Sequence, residues 1–122
     1  MPSIRPVLIV GAGDHSELAA ALRARGLGPM LAPDVEQAAR LLRNFRVDVA
    51  VGVRLPINAV RTLASRTLCI AIGGSEAEAW DAGATGFAPS DADAAAIGEV
   101  VYQVSRGGRR VRSKADERRG IA

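Results

Sequence analysis

A chain of 122 residues, 48% hydrophobic and 24% charged, has the size and balance of one ordinary globular domain and leaves no room for a second. Aromatics at 3% are too scarce for a base-stacking nucleic-acid surface, and a single Cys and a single His exclude disulfides and Cys/His metal sites. The net charge of +3 is uneven, with seven Arg/Lys against two acids in residues 106–122 and nine against eleven in residues 1–105, so a mildly acidic body carries a basic tail.

No apolar run approaches the roughly 18 residues of a membrane span, and the start of the chain lacks the long apolar core of a signal peptide. Together with the lone Cys69, set in an apolar run, this points to a reducing cytoplasm.

Ile4 to Val10 (IRPVLIV) reads as an apolar strand with a ragged start at Pro6, and it runs into a Gly-rich turn, GAGDHS. Asp14 or Ser16 can cap the following helix, ELAAALRARG, which Gly26 stops. A short strand around Met30 leads to Asp34 and Gln37, a capping-box-like start for VEQAARLLRNF, with Val35, Ala38, Ala39, Leu42 and Phe45 expected on its buried face.

Val47 to Pro56 (VDVAVGVRLP) is the organising stretch, an aliphatic run closed by proline that predicts a strand buried on both faces. Ile57 to Thr67 holds two or three helical turns, and LCIAI (residues 68–72) predicts another buried strand ending in Gly73-Gly74. Ser75 with Glu78 predicts a capped helix that carries Trp80 and stops at Gly83. A minimal strand at Phe87 precedes a long final helix, DADAAAIGEVVYQVSR, with Ser90 or Asp91 as its cap and Ile97, Val100, Val101 and Val104 as its buried stripe. Strand and helix thus alternate five times, which predicts an α/β domain with an open, doubly wound, five-stranded parallel sheet over residues 1–105, and residues 106–122 as a basic, flexible tail or linker.

Four stretches are similar to response-regulator receiver domains: VLIV with its polar turn, VDVAVGVRLP with its Leu-Pro, AGATGFAPSD at residues 82–91, and the helix ending VSRGG. The resemblance covers about residues 4–108 and implies a (βα)5, flavodoxin-like fold. It also implies where a phosphorylation pocket would stand, and the pocket's residues are missing. The paired acids after the first strand are replaced by Gly11 and Ala12, with Asp14 as a match only if residues were inserted. The acceptor aspartate, four residues before the proline, is Gly52; the switch hydroxyl falls at Gly73 or Gly74, and the lysine at Ser90. Without a carboxylate there is no nucleophile, and without paired acids no clamp for Mg²⁺.

The expectation is therefore a degenerate, phosphorylation-independent pseudo-receiver: a regulatory module in two-component signalling or transcriptional control that docks a partner protein or dimerises, with no enzymatic step, cofactor or metal. Receivers use faces around the fourth and fifth helices, or the first and fifth, which makes Trp80, Phe87 and Tyr102 the candidate interface residues. Arg109, Arg110, Arg112 and Lys114 of the tail could meet phosphate or nucleic acid, although a linker to a DNA-binding domain outside this chain is the simpler account.

The alternative is a small nucleotide or metabolite sensor in the crevice that Gly11, Gly52 and Gly73 would leave open. Gly11 and Gly13 also begin a dinucleotide fingerprint, with Asp34 near the spacing of a ribose-binding acid, but Asp34 already reads as a helix cap. Asp14 and His15 have no evident catalytic partner.

Overall fold

The structure, a computed structural model, describes residues 5–108 and 110–113. Strands β1 (Arg5–Val10), β2 (Leu27–Ala32), β3 (Val49–Val53), β4 (Leu68–Ile72) and β5 (Gly86–Ala88) alternate with helices α1 (Ser16–Arg23), α2 (Val35–Asn44), α3 (Ile57–Ala64), α4 (Glu76–Asp81) and α5 (Ala94–Ser105). A sixth strand, β6 (Val111–Arg112), follows, and all pairings are parallel in the order β2-β1-β3-β4-β5-β6. The sheet is thus of the expected kind with one strand more. That strand comes from the basic segment read as tail: Val111 and Ser113 donate to the Thr85 and Phe87 carbonyls at 3.0 and 3.1 Å, and Ser113 is buried.

Because successive strand side chains point to opposite faces, the aliphatic runs build two cores. Val7, Ile9, Val49, Val51 and Ile70 meet Leu18, Leu22, Ile97, Val100, Val101 and Val104 on the side of α1 and α5. Leu8, Val10, Ala50, Cys69 and Ala71 meet Ala38, Val60, Leu63 and Ala79 on the side of α2, α3 and α4. Burial pushes the Cys69 thiol up to about 12, so almost no reactive thiolate exists in the folded protein. A disulfide-forming thiol reagent at neutral pH is expected to leave the native protein unmodified and to label one thiol per chain once denaturant is added; prompt labelling of the native form would contradict the buried β4.

Helix starts follow the expected caps at α2 and α4 but not at α1 or α5: α1 begins after His15, which makes no side-chain cap bond, in place of Asp14 or Ser16. Asp34 accepts from Gln37 N–H at 2.8 Å and Ser75 from Glu78 N–H at 3.3 Å, as the sequence predicts. At α5 the cap is Asp93, which accepts from Ala96 N–H at 2.8 Å, rather than Ser90 or Asp91. Several acids and a serine precede this helix, and only the backbone decides which one reaches its first turn. Phe45 also departs from expectation: α2 ends before it, and it stands 54% exposed in extended backbone instead of closing the buried face. Among the described residues no helix is long and apolar enough to cross a membrane.

Candidate functional site

In open parallel sheets the crevice lies beyond the carboxyl ends of the strands. Here a cavity of about 830 Å³ opens there, lined by the turn after β1 (Ala12 to Ser16), the start of α2, the turn after β3 (Val53 to Pro56), and Ser90 with the start of α5. Its floor is apolar, formed by Leu18, Val53, Ile72 and Ile97. Its rim holds Asp14, His15, Glu17, Asp34, Arg54 and Ser90.

The glycines expected to leave this crevice open do not do so. A Cβ on Gly52 would stand 3.0 Å from Leu55 Cδ1 and 3.7 Å from Leu63 Cδ1, so the position faces apolar side chains on the α3 side and does not line the cavity. Gly11, at φ +147°, brings its backbone so near β3 that a Cβ would meet the Val53 carbonyl oxygen at 2.9 Å. At Gly73 the neighbours are Ser90 Cβ at 3.4 Å and Arg54 Cγ at 3.5 Å. Each glycine marks a close approach by neighbouring atoms, and the open volume lies beside them, above Val53 and Ile72.

The polar groups divide into those already engaged and one projecting cation. Asp14 accepts from Ser16 N–H at 2.9 Å, and hydrogen bonds from the Ser16 backbone and then its side chain hold the carboxyl below the usual carboxylate range. His15 Nε2 donates to the Gly11 carbonyl at 3.0 Å, so the ring braces the turn. Asp34 lines the cavity but is occupied as the α2 cap, which leaves the dinucleotide fingerprint without a free ribose acid.

Arg54, which the sequence reading passed over, sits at φ +53°, a conformation that side-chain-bearing residues rarely adopt. Its guanidinium lies 3.5 Å from the Ser90 carbonyl. Its only sequence signal was a charge directly after an apolar strand. Among the described residues no three His, Cys, Asp or Glu side chains gather to hold a metal. The side chains where receivers hold Mg²⁺ do not fit a hard cation either: Gly11 and Ala12 offer no carboxylate, and the nearby Asp14 is spent on the turn.

The candidate interface residues separate. Phe87 is 4% exposed and belongs to the core. Trp80 is half-buried beside it, ring centroids 6.4 Å apart, and donates from Nε1 to Glu76 Oε2 at 3.1 Å. Tyr102 lies across the molecule, with the guanidiniums of Arg25 and Arg106 over its ring at 5.7 and 5.5 Å. Of the tail cations, Arg112 reaches Glu76 Oε1 at 3.2 Å and Arg110 lines a groove with Glu78, Trp80 and Asp81. Arg109 and Lys114 lie outside the described residues.

Solved structures match this arrangement over nearly the whole chain. A two-component response regulator of the LuxR family from Aurantimonas sp. SI85-9A1 superposes with TM-score 0.76 at 21% identity, over 95% of this chain and 99% of that one. A LuxR family DNA-binding response regulator from Silicibacter pomeroyi gives TM-score 0.75 at 23% identity, over 89% and 96%. The chain has the receiver fold. A further receiver, that of Ssk1 from Saccharomyces cerevisiae, solved in complex with the histidine phosphotransfer protein Ypd1, gives TM-score 0.67 at 15% identity, over 80% and 87%. No family model and no curated protein matches the chain.

At the end of β3, Gly52 lies beneath Leu55, and Arg54 is the first residue after the strand.

Proposed function

We propose that this protein is a receiver-like regulatory module of signal transduction that works without phosphotransfer, by docking a protein partner or a second copy of itself. The observation that carries it is that Gly52, itself without a side chain, faces Leu55 Cδ1 and Leu63 Cδ1, 3.0 and 3.7 Å from where its Cβ would stand. A receiver aspartate ionises in a polar, metal-lined pocket; this position offers two leucines instead, so no nucleophile stands there and no carboxylate would stay charged there.

The fold is held by the two aliphatic cores, whose Val, Leu, Ile and Ala side chains come from the strands and helices and need none of the receiver's polar pocket residues. Support for a partner comes from the neighbours: one receiver was solved bound to a phosphotransfer protein, and two belong to response regulators of the LuxR family. Such a module is expected in the cytoplasm, with DNA reached through a further domain.

The test is sedimentation velocity with Trp80 emission recorded in parallel, with and without acetyl phosphate and Mg²⁺. Both signals are expected to be identical in the two conditions. A change in association state that requires acetyl phosphate would contradict the proposal.

A second reading, a small-molecule sensor, is favoured by the cavity itself, whose apolar floor and convergent polar rim suit a ligand. Asp14, Glu17 and Asp34 make one side of the rim acidic, so an anionic group would bind on the opposite side, at Arg54 and Ser90. A thermal-shift screen of nucleotides and acidic metabolites reads this directly, because a ligand stabilises the state it binds. A stabilised transition lost in Arg54→Ala supports the sensor, and no shift with any compound counts against it.

A further inference from the structure

The crevice beyond the strands carries opposite charges on its two sides. In the sheet order β2-β1-β3-β4-β5, Asp34 follows β2 and Glu17 lies in the first turn of α1, after β1, and both line the cavity. Arg54 follows β3, and its stem runs over the end of β4: a Cβ on Gly73 would stand 3.5 Å from Arg54 Cγ, and the guanidinium continues to the Ser90 carbonyl after β5. The cavity thus has an acidic wall over β1 and β2 and a basic one over β4 and β5. Between them lies the apolar floor of Leu18, Val53, Ile72 and Ile97.

Neither wall is neutralised by a neighbour. Among the described residues the side chains of Glu17 and Arg54 have no ion-pair partner, and the 3.5 Å from Arg54 to the Ser90 carbonyl is the far limit of a hydrogen bond. Asp34 gives one oxygen to its helix cap and keeps the other. Arg54 is also fixed in place, because its amide donates to the Ile72 carbonyl at 2.9 Å and its φ is +53°. An arginine takes that backbone only where its surroundings impose it, and such residues gather at ligand clamps.

The two walls set the length of what fits between them. Adjacent strands lie about 4.8 Å apart, so β1 and β4, separated by β3, put the poles on the order of 10 Å from each other. An extended peptide covers at most about 3.4 Å per residue, so about three residues bridge that gap. A polyphosphate would meet Asp14, Glu17 and Asp34 with like charge. The cavity, at about 830 Å³, has room for a tripeptide with its side chains.

We propose that the cavity receives a short apolar peptide of about three residues with free ends: its ammonium on Glu17 and Asp34, its carboxylate on the Arg54 guanidinium, and its side chains on the apolar floor. The planar fork of an arginine suits a carboxylate. This inference rests on the sensor reading of the same cavity and names the class of its ligand.

The test is isothermal titration calorimetry of the full chain with the tripeptide Ala-Leu-Ala. The free peptide should bind, and its N-acetyl and C-terminal amide forms, each lacking one end charge, should bind at least about fivefold more weakly, the weight of a solvent-exposed ion pair. Leucine alone should also bind more weakly, since it cannot reach both walls. In Arg54→Gly, which removes the cation and suits the left-handed backbone, the free and amidated peptides should bind equally while the acetylated form stays weaker. Glu17→Gln combined with Asp34→Asn, where asparagine keeps the cap, should show the reverse pattern. Free and capped forms that bind wild type alike, or a discrimination that neither variant alters, overturns the inference. A compound from the metabolite screen that binds through Arg54 while no tripeptide binds overturns it and leaves the sensor standing; no binding by either kind of compound removes both.

Discussion

Gly86→Val is expected to lower the unfolding free energy by about 3 kcal/mol, a large share of the roughly 5–15 kcal/mol that holds a domain of this size. A Cβ at this position would lie 2.8 Å from Ile70 Cγ1, 3.0 Å from Val100 Cγ1 and 3.1 Å from Val104 Cγ2. None of these can retreat, because Val100 and Val104 are locked into the inner face of α5 and Ile70 is buried in β4. The added methyls must push α5 away from the sheet, opening the core around Val101 as they do so. A urea titration measures the loss as a lowered midpoint with the slope unchanged, and the thermal midpoint should fall by roughly 10 °C. A variant as stable as wild type would mean that α5 does not lie as close to β5 as described. Because β5 ends beside the crevice, the same variant should also disturb Ser90.

Gly52→Asp, which places a carboxylate at the end of β3, is expected to destabilise the chain by about 3 kcal/mol at neutral pH and to leave it unable to take phosphate. The new side chain would begin 3.0 Å from Leu55 Cδ1 and turn toward Leu63, so its carboxyl loses water and gains no donor. Burial raises the folded pKa of such a carboxyl above the unfolded value of about 3.9. Below that unfolded value both states are protonated and the charge penalty vanishes; it grows as pH rises through the folded pKa and is complete above it. The deficit between variant and wild type should therefore widen from acid to neutral pH. Shortening Leu55 to Ala in the same chain should recover part of it. A deficit independent of pH, or phosphorylation of the single variant, would show that the site is closer to a working pocket than Leu55 allows.

Most of the fold was legible because its signals are local. The aliphatic runs at residues 49–53 and 68–72 could be nothing but buried strands, and Asp34 and Ser75 each stand three residues before the amide they cap. What was not legible depends on approach between distant segments. Strand β6 has no apolar run and alternates Val with Arg; it becomes a strand only because the edge of β5 and Glu76 are within reach. Phe45 fits the helical period of α2, yet the helix stops at Asn44 and leaves it in solvent. In the candidate site Gly11, Gly52 and Gly73 are plain in the sequence, whereas the close approach of Val53, Leu55 and Ser90 to them is not. Composition shows that a position carries no side chain; only packing shows what stands beside it. Arg54 was overlooked for a similar reason, since its left-handed backbone carries no sequence mark.

The most direct measurement is the intact mass of the purified chain after incubation with acetyl phosphate and Mg²⁺, alongside a receiver that retains its acceptor aspartate. A docking module with leucine over Gly52 predicts an unchanged mass while the control gains one phosphoryl group. A stoichiometric adduct on this chain, whichever side chain bears it, would contradict the account.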